Sequence, residues 1–465
     1  MVFSSFVFVS IFFPLVYFVN RLLPIKLSNI FLLVASLFLY AWGEPVYVAA
    51  LIVCALINYF TALLVEKNRR LALILALVLN LGMLCVFKYT NFIIENINLI
   101  PGMNIPSVDI RMPLGISFFT FQAMSYTIDV YRGECAPQKN LAKLLLYISL
   151  FPQLIAGPIV KYHEIEAELT SRRADMQDTV KGARRFIVGL AKKVLLANAL
   201  ATTADMVFNS APELINMPVA WLGAIAYAFQ IYFDFSGYTD MAIGMGYMMG
   251  FHFPENFRYP YAARSMQDFW RRWHISLSSW FRDYVYIPLG GNRKGKTRAI
   301  VNRIIVFFLT GLWHGASWNF VIWGLGNGAL LMLESAGVIP VKKLTGKLRP
   351  IAHIYVWLCF IMLFVIFRAE TMPQTLAVYK GMFAGFAMTA DQQTLLARCL
   401  TGSASVTLVS AIVCALPWKE RFDNLTGKKR SILEASTYVL SLGLLWLSLM
   451  SLASQAYNPF IYFRF

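Results

Sequence analysis

Along most of the chain, apolar residues run in blocks of about 17 to 25, the length a helix needs to cross a hydrocarbon core, separated by short polar or basic links. Blocks near Val2–Val19, Val46–Val65, Leu71–Phe87, Val219–Phe235, Ala299–Leu312, Ile351–Phe367, Ser403–Leu416 and Ile432–Met450 predict spanning helices. A second set, Ile30–Trp42, Leu114–Val130, Leu141–Val160, Arg185–Ala204 and Trp318–Leu333, is shorter or more polar. Within Leu141–Val160, Pro152, Gly157 and Pro158 interrupt the helix ladder, which predicts a re-entrant segment in place of a clean crossing. The opening Met1-Val-Phe-Ser-Ser5 lacks the basic n-region of a cleavable signal, so the first apolar run is expected to stay in the protein. The predicted fold class is all-α, a polytopic integral membrane protein.

Composition agrees. Of 465 residues, 58% are hydrophobic and only 14% charged, with a mean hydropathy of +0.60; a soluble domain carries about 25% charged residues. The net charge of +17 would suggest nucleic acid in a soluble protein. Here the cations collect in the links, at Lys67–Arg70, Lys161–Lys193, Arg258–Arg303, Lys342–Arg349 and Lys419–Arg430. The positive-inside rule places those links on the cytoplasmic face, with both termini and the acidic Asp205–Pro218 link outside. Membrane lipid is therefore the expected partner of this charge, and no nucleic acid. The six cysteines show no metal-ligand spacing, and no metal site is expected. A phosphate-binding glycine loop, a nucleophile elbow and an internal repeat are all absent, which weakens the case for repeat-built transporters.

Two histidines in apolar, aromatic surroundings carry the candidate chemistry. An imidazole in such a segment costs free energy unless it is hydrogen-bonded or lines a wet cavity. His274 lies in Asp268-Phe-Trp-Arg-Arg-Trp-His-Ile-Ser-Leu-Ser278. Ser265 followed by Asp268 reads as a helix start, and Trp270, His274, Leu277 and Phe281 then fall on one apolar stripe. Arg271, Arg272 and Arg282 flank that stripe, where they can meet lipid phosphates or the phosphates of an acyl donor. His314 follows the apolar run Ile304–Leu312, sits between Gly311 and Gly315, and has Trp313, Trp318 and Trp323 around it. Asp234 and Asp240, at the end of a predicted span, need partners at that depth, either in a salt bridge or in a supporting role at a site. His252, in a proline-containing loop, reads as part of that loop's hydrogen bonding.

Several of these stretches together resemble the membrane-bound O-acyltransferase superfamily: Asn256-Phe257, Pro260-Tyr261, Asp268–Ser278, Trp280-Phe-Arg-Asp-Tyr-Val-Tyr-Ile-Pro-Leu-Gly-Gly291 and Leu312-Trp-His-Gly315. The likeness is to its bacterial branch of alginate and peptidoglycan O-acetylation proteins, with teichoic-acid D-alanyl transfer as a cousin. Met112–Gln122, Phe151–Pro158 and the ending Asn458–Phe465 extend it over nearly the whole chain. The resemblance implies a single transmembrane domain over residues 1–465, a ring of tilted helices around a central thin region with a cytoplasmic funnel. Residues 251–300 would form a cytoplasmic-interface loop and amphipathic helix carrying His274, and residues 452–465 an extracytoplasmic aromatic motif. It implies His314 as the catalytic residue and His274 as the second polar position, with Trp313 supporting. Acetyl-CoA would be the acyl-donor substrate, with no tightly bound cofactor. It further implies location in the bacterial cytoplasmic (inner) membrane, an exported polysaccharide acceptor and an extracytoplasmic partner O-acetyltransferase of Ser-His-Asp type. Tyr462, in the terminal Phe460-Ile-Tyr-Phe-Arg-Phe465, would hold the acyl group in transit, unless those aromatic residues only anchor the last helix. D-alanyl transfer to teichoic acid and a histidine-lined transport path are the alternatives.

Overall fold

The computed structural model describes residues 3–418, 422, 426–454 and 461, without the side chain of Lys428. Every regular element among the described residues is helical. Five helices are long and apolar enough to cross a membrane: Ile25–Gly43, Arg69–Ile97, Met176–Phe208, Gly346–Arg368 and Lys429–Ala453. Ala390–Cys399 and Gly402–Cys414, bent by 59° at their junction, make a sixth if the pair is one broken span. By length and apolarity these helices suit a chain that crosses a membrane several times. Large apolar side chains such as Val439 and Trp446 are exposed on the helix Gly427–Ala453, as a lipid-facing surface requires.

The expected interruption falls where the prolines put it: one helix stops at Ser149 and a four-residue turn, Phe151–Leu154, follows with Pro152 in its first turn. The predicted spans at Arg185–Ala204 and Val219–Phe235 are parts of much longer helices, Met176–Phe208 with a π-helical turn at Lys192–Ala197, and Met217–Met249.

The chain divides into two compact units. One comprises residues 1–186 and 238–255, the other residues 187–237 and 256–465. In the first, the helix Ile116–Arg132 is buried from Ile116 to Val130. Its Thr127 hydroxyl donates to Asn58 Oδ1 at 2.9 Å, and the Asn58 amide donates to Asn80 Oδ1 at 2.9 Å, tying three helices through polar side chains. Arg185 meets Asp240 at 2.9 Å and also Glu255, so that carboxylate has its cation. His252 bonds Glu168 at 2.7 Å, the loop role expected of it.

In the second unit, two helices, Lys296–His314 and Trp318–Ala336, are joined by only three residues, and their backbones touch. A Cβ on Gly324 would overlap the Phe307 carbonyl oxygen and lie 3.0 Å from the Gly311 Cα. Glycines there permit a separation that no other residue allows. An aromatic core surrounds the pair: Tyr261 stacks on Phe360 at 4.6 Å, and Phe269 on Trp273 at 5.5 Å. Two ion pairs, the buried Lys193–Asp234 at 2.8 Å and the partly buried Arg368–Asp205 at 2.6 Å, cross-link its helices.

Candidate active site

His314 is the last residue of its helix, and the chain leaves through Gly315 in extended conformation. A side chain at 315 would run into the Phe320 ring, so glycine lets that ring close over the helix end. The imidazole is 5% exposed. Trp313, Trp323 and Phe367 enclose it edge-on, with ring centres at 4.9, 5.0 and 5.1 Å.

His274 reaches the same enclosure by a different route from the one its sequence suggested. The Ser265 cap and first-turn Asp268 are as expected, the Ser265 hydroxyl accepting from the Asp268 N–H at 2.9 Å. The helix nevertheless ends at Arg272, and a second begins at Ile275. His274 stands between them with φ 44 and ψ 54, the left-handed region. It therefore lies at a break outside the spanning helices, not on a continuous stripe. The break is held from outside: Arg258 N–H donates to the Arg272 carbonyl at 2.9 Å and Ile275 N–H to the Asn256 carbonyl at 3.0 Å. His, like Asn and Asp, tolerates this conformation better than most side chains, and the break turns its ring inward. The ring, 1% exposed, meets Phe235 at 4.7 Å, Trp313 at 5.8 Å and the ring of His314 at 6.5 Å. Burial pushes this imidazole down to about 3, so it is neutral at physiological pH.

The two histidines and Trp313 thus come together. Asn256, which composition and periodicity did not single out, joins them: its Oδ1 lies 3.3 Å from His274 Nδ1 and accepts from the Ser276 N–H and hydroxyl at 3.1 and 3.0 Å. The only advance signal was its place in the Asn-Phe pair. Asp234 is engaged differently. Besides Lys193, it accepts the backbone N–H of Ile461 at 2.8 Å, which holds that buried residue in the second unit. Tyr462 lies outside the described residues.

A cavity of about 310 Å³ opens between the two histidine-bearing segments. Trp270, Leu277, Phe281 and Phe307 form apolar walls; Arg271, Arg282 and Arg303 supply cations; and Thr310, one turn before His314, also borders it. Trp270 meets Trp323 edge-on at 5.8 Å, and Trp323 in turn meets His314. Arg272, grouped with Arg271 and Arg282 on sequence grounds, points elsewhere and pairs with Asp268 at 2.8 Å. Arg303 replaces it on the cavity wall. Its position in the basic link Arg258–Arg303 had marked it only as cytoplasmic-face charge.

Two buried imidazoles, ring centres 6.5 Å apart, thus lie near an arginine-edged apolar cavity. The chain belongs to the membrane-bound O-acyltransferase family, whose profile matches residues 137–372. It is 37% identical to a probable alginate O-acetylase AlgI of Azotobacter vinelandii over the full length of both chains. It is 38% identical to a peptidoglycan O-acetyltransferase of Helicobacter pylori, over 78% of this chain and 74% of that one. A teichoic acid D-alanyltransferase of Bacillus subtilis is 33% identical over 47% of this chain and 58% of its own. The protein is therefore an O-acyltransferase, and the histidine-lined transporter reading falls away.

Proposed function

We propose that this protein takes acetyl groups from cytoplasmic acetyl-CoA and passes them across the inner membrane for O-acetylation of an exported polysaccharide. The observation that carries the reading is the pair of buried imidazoles, ring centres 6.5 Å apart, separated by Trp270 and Trp323 from a neighbouring cavity edged by arginines. The apolar walls suit the pantetheine arm of the donor, and Arg271, Arg282 and Arg303 suit its phosphates. The thioester carbonyl is then delivered past Trp270 and Trp323 toward His314.

A neutral imidazole at His314 takes the proton of the attacking hydroxyl as its oxygen bonds the carbonyl carbon. Collapse of the tetrahedral intermediate breaks the C–S bond, and the same proton passes to the leaving thiolate. The aromatic enclosure of Trp313, Trp323 and Phe367 keeps water from competing for the thioester. The first hydroxyl in this reading is that of Tyr462, which holds the acetyl group as an ester until an extracytoplasmic Ser-His-Asp transferase moves it to the polysaccharide. Support comes from the preceding residue, Ile461, whose N–H is bound by buried Asp234.

Labelled acetyl-CoA supplied to the purified protein tests this. Label is expected on Tyr462 in the wild type and to be absent from both His314→Ala and Tyr462→Phe, each still folded. Transfer at the wild-type rate by Tyr462→Phe would eliminate the relay, and turnover by His314→Ala would eliminate the base. Acceptance of a D-alanyl carrier-protein thioester in place of acetyl-CoA would favour the chemistry named for the Bacillus relative.

A further inference from the structure

We propose that Asn256 is a positioning residue that fixes His274 in its Nδ1–H form, so that this imidazole offers the reaction a bare Nε2 and works as an acceptor, not as a donor to the developing oxyanion. The inference rests on the reading that the two facing histidines perform the chemistry, and it assigns the role that reading leaves open.

The amide orientation follows from one bond. The Ser276 backbone N–H, which can only donate, points at the Asn256 side chain at 3.1 Å, so the atom facing it is the oxygen. The Ser276 hydroxyl donates to that oxygen at 3.0 Å. His274 Nδ1 lies 3.3 Å from the same oxygen. Two lone pairs do not face each other at that distance in a buried site, so Nδ1 carries the hydrogen. In a neutral ring the other nitrogen is then bare. Neither the orientation nor the ring's direction is left to side-chain freedom. The Asn256 carbonyl also accepts the Ile275 N–H, and the Arg258 N–H holds the Arg272 carbonyl, so one short stretch of loop backbone clamps both sides of the left-handed turn.

The consequence is a division of labour. A ring that can only accept at Nε2 cannot stabilise negative charge on the carbonyl oxygen while neutral. It can receive a hydrogen bond from the attacking hydroxyl or from the His314 ring, the titratable group whose ring meets it at 6.5 Å. It thereby orders the hydroxyl or the His314 ring through which the proton of acyl transfer passes.

The test is a ¹⁵N spectrum of the full-length, histidine-labelled protein in lipid nanodiscs, with the His274 signals identified by their loss in His274→Gln. A protonated-type Nδ1 and a bare-type Nε2 are expected in the wild type. Asn256→Ala should populate the opposite tautomer and lower kcat by more than about tenfold with donor KM little changed, because a wrongly protonated imidazole cannot serve. Asn256→Asp, which keeps an accepting oxygen, should restore the Nδ1–H signal and much of kcat. A wild-type spectrum with the hydrogen on Nε2 overturns the proposal, and that result is available even if Asn256→Ala fails to fold. An unchanged tautomer in a folded Asn256→Ala overturns it too. Full turnover by His274→Gln would instead sink the underlying reading of His274 as a working group, whatever the tautomer.

Discussion

The substitution Gly324→Ala puts the placement of His314 to a quantitative test. The two helices of the His314 hairpin touch through Gly311 and Gly324, and the added methyl would stand 3.0 Å from the Gly311 Cα while overlapping the Phe307 carbonyl oxygen. Carbon contacts settle at about 3.5–4.0 Å, so the helices must part by on the order of 1 Å. Gly311 is three residues from His314 on the same helix, so the imidazole moves with it. Displacement of a reacting group by about 1 Å costs roughly 100-fold in rate, and overpacking costs about 1–3 kcal/mol of stability. Thiol release from acetyl-CoA should show kcat reduced by about that factor, with thermal unfolding in detergent moved modestly downward. Gly443→Ala is the matched control: nothing lies within 4 Å of its added carbon, so the change should leave kcat alone and strengthen its helix by up to about 1 kcal/mol. If Gly324→Ala turns over at the wild-type rate, close backbone contact does not set the position of His314 and the reasoning fails.

Removing Arg271 or Arg303, each to Ala, deletes a charge-assisted contact worth about 1.5–3 kcal/mol, so donor KM should rise about ten- to a hundredfold with kcat nearly constant; an unchanged KM moves the phosphates elsewhere. Lys193→Met leaves the Asp234 carboxylate buried without its cation and should cost about 3–5 kcal/mol in unfolding experiments, most of it recovered by adding Asp234→Asn; equal losses in the single and double variants would count against the pair. His274 titrates near its ordinary 6.5 in the unfolded chain but is pushed down to about 3 in the folded one. Its contribution to stability is whole above pH 6.5 and shrinks as the pH falls toward 3, by about 1.4 kcal/mol per pH unit, because the unfolded chain binds the extra proton. Wild-type stability should therefore fall more steeply than that of His274→Gln on acidification, and parallel curves would contradict a neutral, buried ring.

What the sequence revealed and what it concealed separate along physical lines. Helix length and apolarity are local properties, so each of the five helices long and apolar enough to cross a membrane was anticipated by a predicted span, while the predicted spans Val2–Val19, Val46–Val65, Val219–Phe235 and Ala299–Leu312 are not among those five; the interruption at Pro152 was readable too, because the proline itself carries the signal. The close packing around His314 was equally legible, because Gly311 and Gly315 record close approaches directly in the residue type. His274 was different. Nothing between Arg271 and Ile275 is a glycine or proline, and the apolar spacing there satisfies a continuous helix. The break is imposed by Asn256 and Arg258, whose backbone groups take the bonds that a continuing helix would have made for itself. Periodicity reports the cost of exposing a face; it is silent on a competing set of hydrogen bonds from a loop earlier in the chain. For the same reason Arg272 and Arg303 changed places. Their charges were plain in the sequence, but Arg272 is spent on Asp268 one turn earlier, whereas Arg303 reaches the cavity from the helix that ends in His314. Wherever a tertiary bond outbids the local one, a sequence pattern misses the partner, and the clamp on His274 is the strongest instance.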